Sequence, residues 1–417
     1  MRMTALPLLL TAAALATTLH VPSEYSSIQD GMDAAQENDT VLVAPGIYVE
    51  NVVFPGRDVV LLSEQGPENT FIDASDPDTP LEGSGVHFME GEGPAAVLEG
   101  FTISGGTGVW DPQTGYQYGG GIYVCNASPT IRGNFITGNS IEGFNAFGGG
   151  IYLEGSQSTV EDNVISDNAC SGNYSEGGGV SSRNGAPLIS SNTIESNSSS
   201  SSGLTAYGAG IACDSSSVID GNTITGNGFT SAWTGYGGGL RTFGDQVLVT
   251  GNTFTANQAY IGGGISGGGV IEDNTIIGNG GGFKGGGICC SSYDTVQVDI
   301  RNNLVSENEA SWGGGVAAAG VIENNIITGN SATDGNGGLG GGIYWDAEPG
   351  WSYGRIVNNT IAENHVTTWR NDAGAGIFIW ESASACVEIR NNILWGNLAG
   401  SQQSEIALYE HNPTSAS

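Results

Sequence analysis

The sequence predicts an all-β chain wound as a parallel β-solenoid, with three short strands to a coil. Three observations carry this expectation. A glycine-rich element, first complete as Gly119-Gly120-Gly121-Ile122-Tyr123-Val124, returns starting at Gly148, Gly177, Gly208, Gly237, Gly262, Gly285, Gly313, Gly340 and Gly374. A second element, Asn134-Phe135-Ile136-Thr137-Gly138-Asn139, returns starting at Asn163, Asn192, Asn222, Asn252, Asn274, Asn303, Asn325, Asn359 and Asn392. The steps between these first asparagines run from 22 residues (Asn252 to Asn274) to 34 (Asn325 to Asn359), most often 29 or 30. Self-similarity at a period of about 20–50 residues is the mark of a solenoid.

Within each copy the apolar runs are short and alternate with period two. Ile122 and Val124 flank Tyr123, Ile131 stands among polar neighbours, and Phe135-Ile136 ends in Thr137-Gly138-Asn139. Such runs bounded by Gly and Asn read as strands and turns. A 22-residue copy is too short for a helix plus strands but holds three strands and three turns, so one copy is one coil. Coils then stack by parallel pairing at about 4.8 Å, each adding its apolar residues to the same inner columns. Glycines ahead of the first strand suit tight bends. An Asn at one fixed corner of every coil donates and accepts along the stack, satisfying turn groups that would otherwise be buried unpaired. Asn134, Asn163, Asn192, Asn222, Asn252, Asn274, Asn303, Asn325, Asn359 and Asn392 are therefore expected to form a structural ladder.

Composition narrows the possibilities. There are 70 glycines in 417 residues without the strict three-residue period of collagen, and the recurring apolar columns argue against disorder. The formal charge is −33, from 43 acidic and 10 basic residues, which makes nucleic acid and anionic membrane surfaces poor partners. Arg2, the apolar run 5–14 and Ala14-Leu15-Ala16 describe a secretory signal over residues 1–16. No other stretch approaches the length of a transmembrane helix. Of the six cysteines, Cys213 and Cys290 share a column but lie three coils apart, roughly 14 Å at the strand spacing. That is beyond disulfide reach, so both read as small buried residues. No Cys-x-x-Cys pair points to zinc.

In chain order, Ser27 with Asp30 three residues on opens a short amphipathic helix, with Ile28, Met32 and Ala35 on one face. Placed over the first coil, it caps a strand edge that would otherwise invite aggregation. Residues 17–39 form this cap and 40–417 the solenoid, about 13 coils. The first strands are expected at 40–43, 47–49, 52–54, 59–63 and 70–73, followed by an irregular coil through Gly83-Ser84-Gly85-Val86 and Leu98-Glu99-Gly100-Phe101-Thr102-Ile103.

Four elements of this region carry a family likeness: Tyr25-x-x-Ile28-Gln29, Asp39-Thr40-Val41, Pro45-Gly46-Ile47-Tyr48-x-Glu50 and Ser63-Glu64-x-Gly66-Pro67. Together with the downstream repeats they resemble secreted right-handed parallel β-helix proteins of the pectin-lyase-like superfamily, over nearly all of the mature chain. The Gly-Gly-x-Ile and x-x-Asn elements are also similar to repeats of chlamydial polymorphic outer-membrane proteins. The right hand of the coil is implied by this resemblance alone. The likeness is specific for fold and weak for activity, because the scaffold hosts lyases, hydrolases, esterases, epimerases and non-catalytic surface proteins.

Between each closing Asn and the next glycine run lies a segment of variable length, including 140–147, 169–176, 198–207, 228–236, 331–339 and 365–373. These read as loops leaving one corner, forming a ridge, and insertions on one face are often the binding face. At the other end, Glu405-Ile406-Ala407-Leu408-Tyr409 begins a strand and 411–417 shows no cap, so a continuation of the chain or a covering partner is expected there.

Catalytic constellations are sparse. Gly46-x-Tyr48-x-Glu50 resembles the first motif of pectin methylesterases, but that family's other motifs are missing and the same motif is structural in non-esterase β-helices. The Gly-His-Gly and Arg-x-Lys elements of polygalacturonases are absent. Pectate lyases need calcium-binding Asp residues beside an Arg or Lys base. Here Lys284 is the single lysine, and Arg132, Arg183, Arg241, Arg301, Arg355, Arg370 and Arg390 sit in no evident acidic cluster. A hydrolase using two carboxylates from successive coils stays open, since the required separation is about 5–9 Å.

Aromatic residues supply the other candidate chemistry. Tyr118, Phe147, Tyr207, Tyr236 and Trp312 each precede a glycine run, and Trp233 and Trp369 lie in the variable segments. They either cover the glycine corner or form a row of rings for sugar stacking. Tyr344, Phe378 and Trp380 alternate with inward Ile343, Ile377 and Ile379, so an exposed aromatic cluster is expected there. Asp73, Asp76 and Asp78 offer oxygen ligands that suit calcium, or a solvated turn; no other cofactor is indicated. No phosphate-binding loop follows the glycine runs. The functional expectation is a secreted or cell-surface, non-catalytic scaffold or adhesin-like module that binds carbohydrate. The alternatives are a polysaccharide lyase or glycoside hydrolase acting on acidic glycans along the ridge, and a purely structural spacer.

Overall fold

The computed structural model describes residues 15–77, 83–203, 205–214, 216–231, 234–290, 298–333, 337–346, 353–367, 373–381 and 386–410. Among them the chain is a stack of parallel coils with one helix, α1 (Ile28–Ala34). A regular coil runs from Ile122–Cys125 in sheet 3 to Thr130–Arg132 in sheet 1, then Phe135–Thr137 in sheet 2. Each pairs in register with its counterpart one coil on: Ile122 with Ile151, Ile131 with Val160, Ile136 with Ile165. The three sheets hold 14, 13 and 13 strands, one per coil, so every repeat advances the solenoid by a single turn.

Inside the three sheets runs one continuous core. Ile131, Val160, Ile189 and Ile219 form a column in sheet 1, Ile136, Ile165, Ile194 and Ile224 one in sheet 2, all fully buried. β-Branched side chains stack in register because each presents the same rotamer to the same face. Cys213 and Cys290 are buried members of this packing. Trp345 also points inward, and Gly354 opposite it leaves the room: a Cβ there would sit 1.9 Å from the indole.

The helix closes the N-terminal end as the sequence predicts. Ser27 Oγ accepts from Asp30 N at 3.0 Å, and Ile28 and Met32 are fully buried on the first coil. The Gly46-x-Tyr48-x-Glu50 motif serves this cap. Glu50 accepts from the backbone N–H groups of both Ile28 and Gln29 at 2.9 Å, and Tyr48 Oη donates to Ala44 O at 2.9 Å. Gln29 pairs its side-chain amide with Val53 N (2.8 Å) and Val53 O (3.2 Å), replacing the neighbour that an edge strand lacks. Thr18–Val21, ahead of the helix, joins sheet 1 beside Thr40–Val43.

The regular coils depart from the prediction in one respect: they have four strands rather than three. The variable segments expected as loops form a fourth, 15-stranded sheet. Each leaves the corner marked by the second Asn and returns to it. A Cβ on Gly121 would lie 2.9 Å from Asn139 Nδ2 and 2.8 Å from Gly150 O, so glycine run and asparagine share that corner. Ala169–Glu176 pairs through its first half with Ser198–Ser201 and through its second with Thr205–Tyr207, hence has an outgoing and a returning leg. The legs face one another: Cys170 Sγ donates to Ala146 O at 3.1 Å, and Ser175 Oγ lies 2.8 Å from Ser199 Oγ. The predicted ridge is thus a two-legged fin of stacked strands. Its Ser- and Gly-rich residues carry little strand propensity, and pairing to the coils on either side makes them extended.

Candidate functional site

Two asparagine ladders, not one, flank sheet 2. In the first, Asn134 to Asn392, each Oδ1 accepts from the backbone N and the Nδ2 of the preceding rung, as between Asn192 and Asn222 at 2.9 and 3.0 Å. The second runs from Asn139 through Asn168, Asn197 and Asn227 to Asn397 with the same geometry. Apart from the half-buried end rung Asn392, both are buried and bonded rung to rung, which leaves them little capacity for a ligand. The sequence carried the second ladder in the closing Asn of each repeat.

The returning leg of the fin lies against the outer face of sheet 3, and the aromatic candidates meet in that seam. Tyr118 and Phe147 are register partners with rings stacked at 5.4 Å, and Tyr207 and Tyr236 repeat the pair at 5.4 Å. From sheet 3 come Tyr123 and Tyr152, stacked on each other at 6.0 Å, with Tyr118 5.0 Å from Tyr152. Further on, Trp312 stacks on Tyr344 at 5.4 Å and Tyr344 on Phe378 at 5.7 Å.

Exposure divides these residues. Tyr344 and Phe378 are 2% and 1% exposed, which corrects the exposed cluster expected from alternation. They do face away from the inner core, but the fin folds over them and makes a second core with Ile261, Ala317 and Leu339. Phe147 is buried too, at 2%. Tyr118, Tyr123, Tyr174, Tyr207, Tyr236, Trp312 and Trp380 are half-buried, with an edge reaching solvent. Trp233, Trp369 and Asp78 lie outside the described residues. Asp73 turns its carboxylate onto Ser75 N at 3.1 Å, and among the described residues no three His, Cys, Asp or Glu gather as a metal site.

The most polar part of the seam was not anticipated. Glu154 and Arg183 are register partners on sheet 3. Arg183 Nε and Nη2 donate to the two oxygens of Glu176 at 2.9 Å each, and its guanidinium lies 4.4 Å from the centre of the Phe147 ring. Tyr174 donates to Glu176, Tyr152 donates to Glu154, and Asn184 Nδ2 donates to Glu154 Oε1 at 2.7 Å. Burial opposes the charge of Arg183, but the bonds to Glu176 outweigh it and hold the guanidinium protonated. Burial, then the partner carboxylate, pushes the Tyr152 and Tyr174 hydroxyls up, so both remain donors. The expectation that no arginine sits among carboxylates is therefore corrected. Arg132 pairs with Glu99 at 2.8 Å, Arg301 with Glu272 and Asp299 at 2.7 Å, and Arg355 with Glu323 at 3.0 Å. The signal was positional: Glu154 and Arg183 each follow the leading apolar residue of their strand by three.

Among the described residues, no helix is long and apolar enough to cross a membrane. No match was found among curated proteins. Among solved structures, the Dettilon tailspike protein is similar at 15% identity and a TM-score of 0.44, covering 94% of this chain and 68% of its own. The catalytic unit of a GH87 alpha-1,3-glucanase from Streptomyces thermodiastaticus is similar at 17% identity and 0.38, covering 90% and 66%. The A-module of the Azotobacter vinelandii mannuronan C-5 epimerase AlgE6 is similar at 16% and 0.31, covering 92% of each. The model of the right-handed beta helix region matches residues 67–254 and 149–332, together more than half of the 417 residues. The chain belongs to the right-handed beta helix family.

Proposed function

We propose that the protein is a secreted or cell-surface, non-catalytic module, scaffold or adhesin-like, that binds carbohydrate along the seam between fin and sheet 3. Residues 1–16 act as its secretion signal, 17–39 as its cap and 40–417 as one β-helix. The observation that carries this reading is two groups of half-buried rings in one seam, Tyr118 with Tyr123 and, three coils on, Tyr207 with Tyr236, with the polar group of Glu154, Arg183 and Asn184 between them. Ring edges and faces at the coil spacing suit the apolar faces of pyranose rings, and the polar groups suit their hydroxyls. Binding to a glycan array, weakened by Tyr118→Ala and Tyr207→Ala without loss of fold, is the expected result. An array on which no glycan is retained supports the spacer reading instead.

One observation favours an enzyme: two carboxylates lie near Arg183, Glu176 bonded to its guanidinium and Glu154 as its register partner on sheet 3. Against it, Glu176 is 2% exposed and held by Arg183 and Tyr174, while Glu154 is held by Tyr152 and Asn184. Carboxylates so occupied suit a fixed polar surface better than proton transfer. A lyase and hydrolase screen on acidic polysaccharides decides between the two: turnover abolished by Glu154→Gln overturns the non-catalytic reading.

A further inference from the structure

The fin is notched. Its segments span nine residues at 228–236 and at 331–339, but only four at Gln258–Ile261, five at Gly280–Lys284 and four at 309–312. On the outer side of the outgoing leg, facing away from the seam, the middle of these three coils reads Gly280-Gly281-Gly282. The first three positions of this rung therefore have no side chains, between a rung bearing Gln258 and Tyr260 and a rung bearing Glu309 and Ser311, while Phe283 further along it stacks on Tyr260 at 5.5 Å. Flanking rungs stand two strand spacings apart, roughly 10 Å. The gap is a cavity of about 460 Å³ lined by Gln258, Gly280, Gly282, Glu309, Ser311 and Thr333. A second cavity of about 340 Å³ adjoins it through Gln258, Ala259 and Gly282, walled by Tyr260 and Phe229. Their sizes fall in the range of small-ligand clefts, roughly 300–1,000 Å³.

Backbone conformation does not account for two of the three glycines. Gly280 and Gly282 lie outside the left-handed region. Added Cβ atoms there would meet the Gln258 carboxamide at 2.2 Å and the Tyr260 ring at 3.2 Å, side chains and not backbone. Glycine at 280 makes room for the Gln258 carboxamide, and glycine at 282 keeps the hollow open beside Tyr260. Gly281 differs, since its Cβ would strike Gly285 O at 2.9 Å.

We propose that this hollow is a second glycan site, separate from the seam, which takes a neutral sugar ring. Its groups match a polyol: the Gln258 amide both donates and accepts, Ser311 and Thr333, whose hydrogens go to Gly282 O and Glu309, offer acceptor oxygens, and Glu309 is a further acceptor. Tyr260, 41% exposed, supplies the ring face. No Lys, Arg or His is among the described lining residues, while Glu307 and Glu309 are, so a uronate, sulfate or phosphate would meet only repulsion.

The test is calorimetric titration of the full chain with cellotetraose, mannotetraose, N-acetylchitotetraose and tetragalacturonate. At least one neutral tetramer binds, and Gly282→Thr and Tyr260→Ala each weaken it tenfold or more at unchanged circular dichroism and melting. Gly282→Thr fills the hollow from an exposed strand position that accepts a β-branched residue; Gly282→Ala is the milder substitute if it folds poorly. Ile326→Ala, exposed on sheet 2 away from both sites, leaves this binding intact. A neutral tetramer held equally by Gly282→Thr and lost by Tyr118→Ala overturns the hollow and leaves the seam standing. Binding of tetragalacturonate alone, or of no neutral tetramer, overturns it as well.

Discussion

Asn222 directs both its backbone N and its Nδ2 at the Oδ1 of Asn252, 2.9 Å from each. The same Nδ2 meets the carbonyl oxygens of Ile189 at 2.8 Å and Asp220 at 3.1 Å, and the Oδ1 of Asn222 receives both nitrogens of Asn192. One side chain thus serves three successive coils at a site 1% exposed. Asn222→Ala strands two carbonyls and the backbone N of Asn192, so a loss of about 1–3 kcal/mol is expected. Urea denaturation checks it; an unchanged midpoint removes the ladder's energetic role.

Glu176 is 2% exposed while its partner Arg183 is 37% exposed, which places their pair between surface and interior. Arg183→Ala leaves a buried carboxylate beside Tyr174 without its counter-charge. The expected cost is about 2–3 kcal/mol, between the values for exposed and fully buried pairs. Adding Glu176→Gln recovers most of it, because the charge that needed compensation is gone. Thermal melts of the single and double variants make the comparison, and additive losses would show that the pair does not act as a unit.

What was legible in the sequence follows from where its signals are local. Glycine and asparagine at fixed offsets gave coil length, corners and inner columns, because each position meets its own counterpart one turn away. Ser27 and Glu50 read as cap and motif from spacing, though the bonds from Ile28 N and Gln29 N to Glu50 appear only in space. The fin was not legible: Ser198-Ser199-Ser200-Ser201 has no apolar alternation, and it is extended because Ala169–Glu176 pairs with it. Everything contingent on the fin was missed with it, including the burial of Tyr344 and the meeting of Glu176 with Arg183.

Asp39 ties the N-terminal segment to the helix end. Its carboxylate accepts from Thr17 N and Gln36 N at 2.7 Å and from Thr17 Oγ1 at 2.9 Å. Hydrogen bonds from Gln36 N and Thr17 N hold its pKa below the ordinary carboxylate range. A depressed folded pKa means the stabilisation is complete above the unfolded value, about 4, and is lost as pH falls through the lower folded value. Amide protection at Gln36 should therefore be flat above pH 5 and fall below about pH 4. Asp39→Asn should remove that dependence; a wild-type profile in the variant assigns the acid response elsewhere.

Phe378 and Tyr344 stack at 5.7 Å with planes 3° apart, closed in by the fin and by Ala375 and Leu339. Their position in the second core makes them stability residues rather than ligand contacts. Truncation of a buried ring leaves a cavity that rigid neighbours on two sheets cannot fill, so Phe378→Ala should cost about 3–5 kcal/mol. Glycan affinity, measured at a temperature where the variant is folded, should stay within twofold of wild type. A variant that melts like the parent yet binds more weakly would mean that the seam stands open at this coil, and that the rings from Trp312 to Phe378 belong with Tyr118 and Tyr207 as a contact surface.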